Sequence, residues 1–381
     1  MSKEQLLPKI PKIGLGTWKM DNEKAYQVVL KAIKLGYRYI DCAWEYENEV
    51  GVGKAIKEAL DQKIVKREDL FIVTKLWNTY HRPDLVEANI NDSLKKLNLT
   101  YIDLYLIHWP LAFKPGDDPY PRIDGHIQYD KVPLSETWKS MEKLVEKKLT
   151  KFIGVSNFPS ILLHDLIQSA NIKPVVNQIE SHLYLQQNDL INWCQKNNII
   201  IQAYSPLGGN YDYGNTVKDK KFEHPLKNEK IAELAKKKNC SNSDIIFAWH
   251  KQRGNNYCIV SKSENDERLK RALDIMEGKV EINLTEEEMN LLKNEKITEL
   301  AKKKNCSNSD IIFAWHKQRG NNYCIVSKSE NDERLKRALD IMEGNVEINL
   351  TEEEMNLLSK EDRNLRLNDA AKVFWEIPSF E

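Results

Sequence analysis

Four ionisable side chains stand where short apolar runs end. Asp41 closes the run YRYIDCA (37–43), and Tyr46 follows five residues later in DCAWEY. Lys75 lies in LFIVTKLW (70–77) and His108 in IDLYLIHWP (102–110). A carboxylate, a phenol, an ammonium and an imidazole are types that hold and pass protons, so proton transfer to a substrate is the chemistry such a set would serve. Singly, each has an ordinary reading: Asp41 as a helix cap, Lys75 as a surface lysine, Tyr46 as packing, His108 as a core histidine. Four of them at the ends of three successive buried runs make coincidence a poor explanation.

The runs themselves say what positions these residues. Eight occur: KIGLGTW (12–18), 37–43, 70–77, 102–110, FIGVSNF (152–158), VVNQIE (175–180), IIIQAYSPLG (199–208) and YCIVSKS (257–263). Charged amphipathic stretches such as 23–36 and 82–98 separate them. Strand and helix alternating at this spacing predict a parallel sheet, and near-continuous apolar strands predict burial on both faces. Eight units fit an α/β fold of the (β/α)8 TIM-barrel type, in which chemistry gathers at the C-terminal strand ends. Gly14/Gly16 and Gly51/Gly53 do not make the GxGxxG of a doubly wound nucleotide fold.

Composition narrows the function. Among 381 residues, 57 basic and 57 acidic side chains give a net charge of zero, against the basic stripe of a nucleic-acid binder. No apolar run approaches the ~18 residues of a membrane span, and MSKEQLLPKIPKIG has no signal-peptide core. Six cysteines without a CxxC pair read as reduced thiols of a cytoplasmic protein, and no residue set is assigned to a metal.

Length misleads, because residues 227–292 recur as 293–358. Only Ala232/Thr298 and Lys279/Asn345 differ. Two adjacent near-identical copies suit a recent tandem duplication or a gene-model error better than a solenoid, which needs three or more diverged units. The expected organisation is a barrel over 1–292, an extra βα segment over 293–358 outside it, and an active-site tail over 359–381. The shorter connection favours the first copy as the barrel member, the alternative being the second copy in that place with the first as a bulge, and Thr285 with Glu288 predicts a capping box opening a helix through 286–304.

Taken in order, GLGTW, GYRYIDCAWEYENEVGVGKAI, FIVTKLW, DLYLIHWP, IGVSNF and AYSPLG resemble the aldo-keto reductase superfamily. The tail NLRLND…EIPSF (364–380) is similar to that of its xylose and aldose reductase branch. The resemblance implies NADPH-dependent reduction of aldehydes or aldoses, with NADH as a further cofactor. It casts Tyr46 as general acid, Lys75 as the cation lowering its pKa, Asp41 as the partner of Lys75, and His108 as the group orienting the carbonyl. It also implies that Ser156, Asn157 and Gln178 hold the nicotinamide carboxamide, Tyr204 stacks on its ring, and Ser205 to Leu207 line the pyrophosphate. Thr17 and Lys19 would touch the opposite side. Lys262, Ser263 and Arg268 would grip the 2′-phosphate, although Arg271 and Ala272 depart from the usual adenine contacts. Trp18, Trp44, Trp77, Trp109 and Phe113 would line the substrate pocket, with Glu45 and Asn368 facing sugar hydroxyls.

The expected partner is a small carbonyl compound met by a monomer. The alternatives are a cofactor-binding protein with little turnover, a chain impaired by its extra copy, or a dimer formed by exchange of the near-identical segments.

Overall fold

The computed structural model describes residues 7–209 and 224–292, then 300, 303–306, 310–311, 314, 318, 336–337, 340–341 and 345–354. Each apolar run forms one strand of a closed parallel barrel. The strands are β1 (Ile13–Gly16), β2 (Tyr39–Asp41), β3 (Phe71–Leu76), β4 (Ile102–Ile107), β5 (Thr150–Ser156), β6 (Val176–Glu180), β7 (Ile200–Tyr204) and β8 (Tyr257–Ser261). Each pairs with its chain neighbours, and β8 closes the ring against β1, with Ile13 beside Ile259 and Gly14 beside Val260. The closing strand thus comes from the first of the two copies, and β7 occupies its other edge.

Side chains alternate across these strands. One set, including Tyr39, Val73, Leu104, Leu106, Val176, Ile200, Cys258 and Val260, packs together as one cluster that fills the barrel. The other set, including Ile40, Ile72, Tyr105, Ile107 and Ile153, packs with the surrounding helices in a larger cluster. Room inside is tight: a Cβ on Gly14 would stand 2.4 Å from the Tyr39 ring, so only glycine fits there.

The helices are α1 (Asn22–Leu35), α2 (Glu49–Asp61), α3 (Val86–Leu97), α4 (Leu134–Glu146), α5 (Ser160–Ser169), α6 (Asn188–Lys196), α7 (Glu229–Lys237), α8 (Asn242–Lys251) and α9 (Asp266–Met276). Their ends follow local rules. Asp21 caps α1 by accepting from Lys24 N, and Gly36 ends it in the left-handed conformation at φ 111°. Ser241 and Asp244 form a reciprocal capping box on α8. The stretch 82–98 becomes helical only from Val86, after a turn at 82–85.

Two compact units divide the chain, Met1–Leu284 with Arg366–Glu381, and Thr285–Leu365. The second opens with α10 (Glu286–Leu291), capped by Thr285 and Glu288 as expected. Whether that helix continues through 304 lies outside the described residues, as does the tail 359–381. Within this unit Leu300, Ile311, Ala314 and Leu350 form a small core.

Candidate functional site

Barrel geometry turns a period of two into a chemical layer. Asp41, Lys75, His108, Ser156, Gln178 and Tyr204 each lie two residues beyond Tyr39, Val73, Leu106, Gly154, Val176 and Gln202 on their strands. They therefore follow the barrel-filling parity and emerge together at the C-terminal rim.

At the centre is the Lys75 ammonium, fully buried. Its Nζ donates to Asp41 Oδ1 at 2.6 Å, to the Cys42 carbonyl at 2.6 Å and to Tyr46 Oη at 3.4 Å. Asp41 is held in turn by Gln178 Nε2 at 2.6 Å and by the Tyr39 hydroxyl at 3.5 Å. Tyr46 arrives on a 3-10 turn (Trp44–Tyr46) directly after β2. Its ring meets the His108 imidazole edge-on, centroids 5.7 Å apart. Burial first, and the Lys75 charge second, hold the His108 pKa well below its usual value, so the ring is a neutral imidazole. Its Nδ1 is buried and has no hydrogen-bond partner among the described residues.

The balance of influences on the Tyr46 phenol is upward. Burial, followed by the nearby Asp41 carboxylate, pushes the phenol well above its ordinary value. Enclosure of the phenol is the larger cause, and Asp41, paired with Lys75 at 2.6 Å, adds its negative charge. Tyr46 therefore keeps its proton at neutral pH, the state a donor requires.

The residues matched to the nicotinamide end also converge. Asn157, left-handed at φ 64°, donates from Nδ2 to the His108 carbonyl and to Ser156 Oγ, and accepts from Tyr204 Oη at 2.9 Å. Ser156 Oγ donates to the Gln178 carbonyl at 2.9 Å. Thr17 is tied to Asp41 through its carbonyl, Ser205 takes a left-handed turn at φ 53°, and Leu207 packs on the main core. At the opposite edge, Lys262 Nζ donates to the Trp18 carbonyl at 3.1 Å, while Lys19 Nζ lies 5.0 Å from the Trp18 ring centroid. Ser263 Oγ accepts from Asn265 N, and Arg268 is exposed at the start of α9. Arg271 turns onto Asp244 at 2.9 Å, and Ala272 is buried.

Trp77, Trp109 and Phe113 form one buried aromatic cluster, with Trp44 packed against it. Trp44 is also pinned to α3 by a bond from Nε1 to Asp92 Oδ2 at 2.6 Å. Trp18 lies 6.5 Å from Tyr46, centroid to centroid. Asn368 lies outside the described residues. Two residues that belong with this group were missed. Gln202, paired in register with Gln178, accepts from it at 3.0 Å, and its barrel parity was the available signal. Tyr120, from the loop between β4 and α4, reaches Glu45 and the Trp77 ring with no signal of its own.

A closed eight-stranded parallel barrel with a buried Lys–Asp pair, a protonated phenol and a neutral imidazole at its rim defines a reductase type of site. Family comparison agrees: the model of the Aldo/keto reductase family matches residues 12–294, and the chain belongs to that family. It is an NAD(P)H-dependent oxidoreductase. Aldo-keto reductase family 1 member A1 of Gallus gallus is 43% identical over 288 residues, 74% of this chain and 84% of its own. The NAD(P)H-dependent D-xylose reductase I,II of Candida tropicalis is 42% identical over 289 residues, 74% of this chain and 87% of its own. Among solved structures, an aldose reductase from Giardia lamblia gives a TM-score of 0.68 at 37% identity, covering 75% of this chain and 92% of that one.

Proposed function

We propose that the chain reduces aldehydes and aldoses to alcohols with NADPH, using Tyr46 as the general acid. The observation that carries the reading is the Tyr46 phenol, kept protonated within reach of a buried ammonium that Asp41 anchors. As negative charge develops on the substrate oxygen, Tyr46 gives it a proton, and Lys75 stabilises the phenolate left behind. His108, being neutral, donates a hydrogen bond to the same oxygen and fixes its direction. Asp41, held by Gln178, keeps Lys75 from turning away. The nicotinamide, when bound, supplies the hydride to the carbonyl carbon.

The residues present fit that cofactor. Ser156, Asn157, Gln178 and Tyr204 would hold its nicotinamide end, and Lys262, Ser263 and Arg268 its 2′-phosphate. Burial lowers the Lys262 pKa, the Glu264 carboxylate partly offsets this and the Lys19 charge adds to it, so a phosphate there would favour the charged ammonium. With Arg271 committed to Asp244, preference for NADPH over NADH falls on Lys262, Ser263 and Arg268. The free cysteines Cys42, Cys194 and Cys258 are buried, which supports a reducing compartment, the cytoplasm.

Tyr46→Phe is expected to lower turnover of D-xylose or DL-glyceraldehyde by about 10²–10⁴-fold while NADPH still binds, as read by fluorescence titration. Retention of most turnover in that variant removes Tyr46 from the role of acid.

A further inference from the structure

One polar side chain inside the barrel takes no part in the chemistry described so far. Gln202 is fully buried on β7, in register with Gln178 on β6 and Cys258 on β8. Two places earlier on the first two of these strands, Ile200 and Val176 are apolar and fill the barrel. A glutamine in such surroundings matters through its hydrogen bonds.

Charge fixes the direction of those bonds. The Asp41 carboxylate, paired with the Lys75 ammonium, only accepts. The Gln178 group that meets its Oδ2 at 2.6 Å is therefore the NH2. The second hydrogen of that NH2 goes to Gln202 at 3.0 Å, so Gln202 presents its oxygen. Both hydrogens of Gln178 are thus engaged within the protein, and its Oε1 is the atom left to meet a ligand. Gln202 Nε2 is buried and has no hydrogen-bond partner among the described residues. An unsatisfied buried donor lowers stability, and an apolar side chain of the same length would avoid it. What Gln202 brings is its oxygen.

The last torsion of a glutamine is soft, so one hydrogen bond leaves its amide free to pivot, whereas two fix its plane. We propose that Gln202 is a positioning residue that fixes the plane of the Gln178 amide between itself and Asp41. Gln178 Oε1 is then held ready to accept from the carboxamide N–H of the nicotinamide, and cofactors without that N–H are disfavoured. The proposal rests on the reading above that Gln178 holds the nicotinamide end. Gln202 touches neither cofactor nor substrate in it and acts through Gln178.

The test compares NADPH with its reduced 3-acetylpyridine analogue, in which a methyl ketone replaces the carboxamide and no N–H remains. Fluorescence titration gives the Kd of each for the full chain, Gln202→Met, Gln202→Glu, Gln178→Met and the double variant with methionine at both places. The full chain is expected to prefer NADPH, and Gln202→Met to lose about three- to tenfold of that preference, the effect of one net hydrogen bond. Its Kd for the analogue stays as in the full chain. Gln202→Glu keeps an oxygen in the same place and keeps most of the preference. The double variant is no worse than Gln178→Met, because the two residues act in series. An unchanged preference in Gln202→Met, an equal loss for both nucleotides, a loss as deep in Gln202→Glu, or additive losses in the double variant overturns the proposal. If the full chain binds neither nucleotide, or Gln178→Met leaves the preference intact, the cofactor reading of Gln178 fails instead. NMR of the ligand-free chain then decides by itself. Gln202→Met is expected to move one of the two Gln178 Nε2 proton signals toward that of a free amide, and two unmoved signals refute the proposal.

Discussion

Residues 227–292 and 293–358 differ at only two positions, and the first of these segments supplies the strand that closes the barrel. Among the described residues, several local bonds of the first copy recur in the second. Lys238 Nζ donates to the Asn283 carbonyl at 2.7 Å, and Lys304 Nζ to the Asn349 carbonyl at 2.7 Å. Gln252 exchanges two bonds with Leu284, and Gln318 does the same with Leu350. Arg271 meets Asp244 at 2.9 Å, Arg337 meets Asp310 at 3.4 Å, and each copy ends in a Thr–Glu capping box. Place in the barrel is another matter. Strand β8 of the first copy has β1 on one side and β7 on the other, so the ring has no ninth position. Local structure follows from local sequence, whereas barrel membership follows from connection and available edges.

The largest separation between the copies is expected from a charge placed on the strand. Ile259 is fully buried in β8 and packs in the main core. Ile259→Asp should cost about 4 kcal/mol or more and abolish folded, active protein, as circular dichroism and NADPH-linked turnover would read. Ile325→Asp, the same change in the second copy, should leave turnover intact. Equal damage from both would mean that the second copy is also part of the working barrel.

A smaller effect is expected from the matched ion pairs. Asp244 is buried, with its Oδ1 unpaired among the described residues, so Arg271→Ala leaves a carboxylate held mainly by the Ser241 N–H. The guanidinium is partly exposed, which limits the cost to about 2 kcal/mol, visible as a lower barrel melting temperature. Arg337→Ala should leave that temperature unchanged. A drop of similar size in both variants would mean that the copies share one cooperative unit.

Removing 293–358 altogether leaves 315 residues and, in the proposed organisation, the whole barrel. Turnover should persist, with a stability change below about 1 kcal/mol, and both proteins should sediment as monomers. A full chain that sediments as a dimer, becoming monomeric on deletion, would instead point to segment exchange between molecules.

What the sequence made readable divides along the same line. All eight strands were visible because a parallel barrel buries both faces of each, leaving continuous apolar runs in place of alternation. Asp41, Lys75 and His108 were visible because they interrupt such runs at their ends. The upward balance on the Tyr46 phenol was not legible, because burial and the Asp41 charge reach it only once the strands are assembled. Tyr120 was invisible. The Asp124–Gly125 turn is a readable hairpin signal, yet where its tip lands depends on Arg82, Trp77 and the clamped limbs of the loop. Asp244 as the partner of Arg271 was likewise hidden, because 27 residues and a strand separate them.

The smallest expected effect is a pH response confined to the second unit. Burial would raise the Glu354 carboxyl, but the Thr351 N–H, Lys304 at 2.9 Å and Lys303 at 3.0 Å outweigh it and bring it down to about 2. A carboxylate whose folded value lies below its unfolded value of about 4.3 adds stability above that pH, and the gain fades as pH falls toward 2. Amide hydrogen exchange in peptides spanning 300–354 should therefore accelerate as pH falls from about 4.5, once corrected for intrinsic rates. Glu354→Gln cannot ionise, so it should lack this limb while keeping most of its neutral-pH protection through the remaining Thr351 cap. If the variant and the parent chain lose protection along the same curve, the Lys303–Glu354–Lys304 cluster contributes nothing, and the packing of Leu300, Ile311, Ala314 and Leu350 matters more than that cluster.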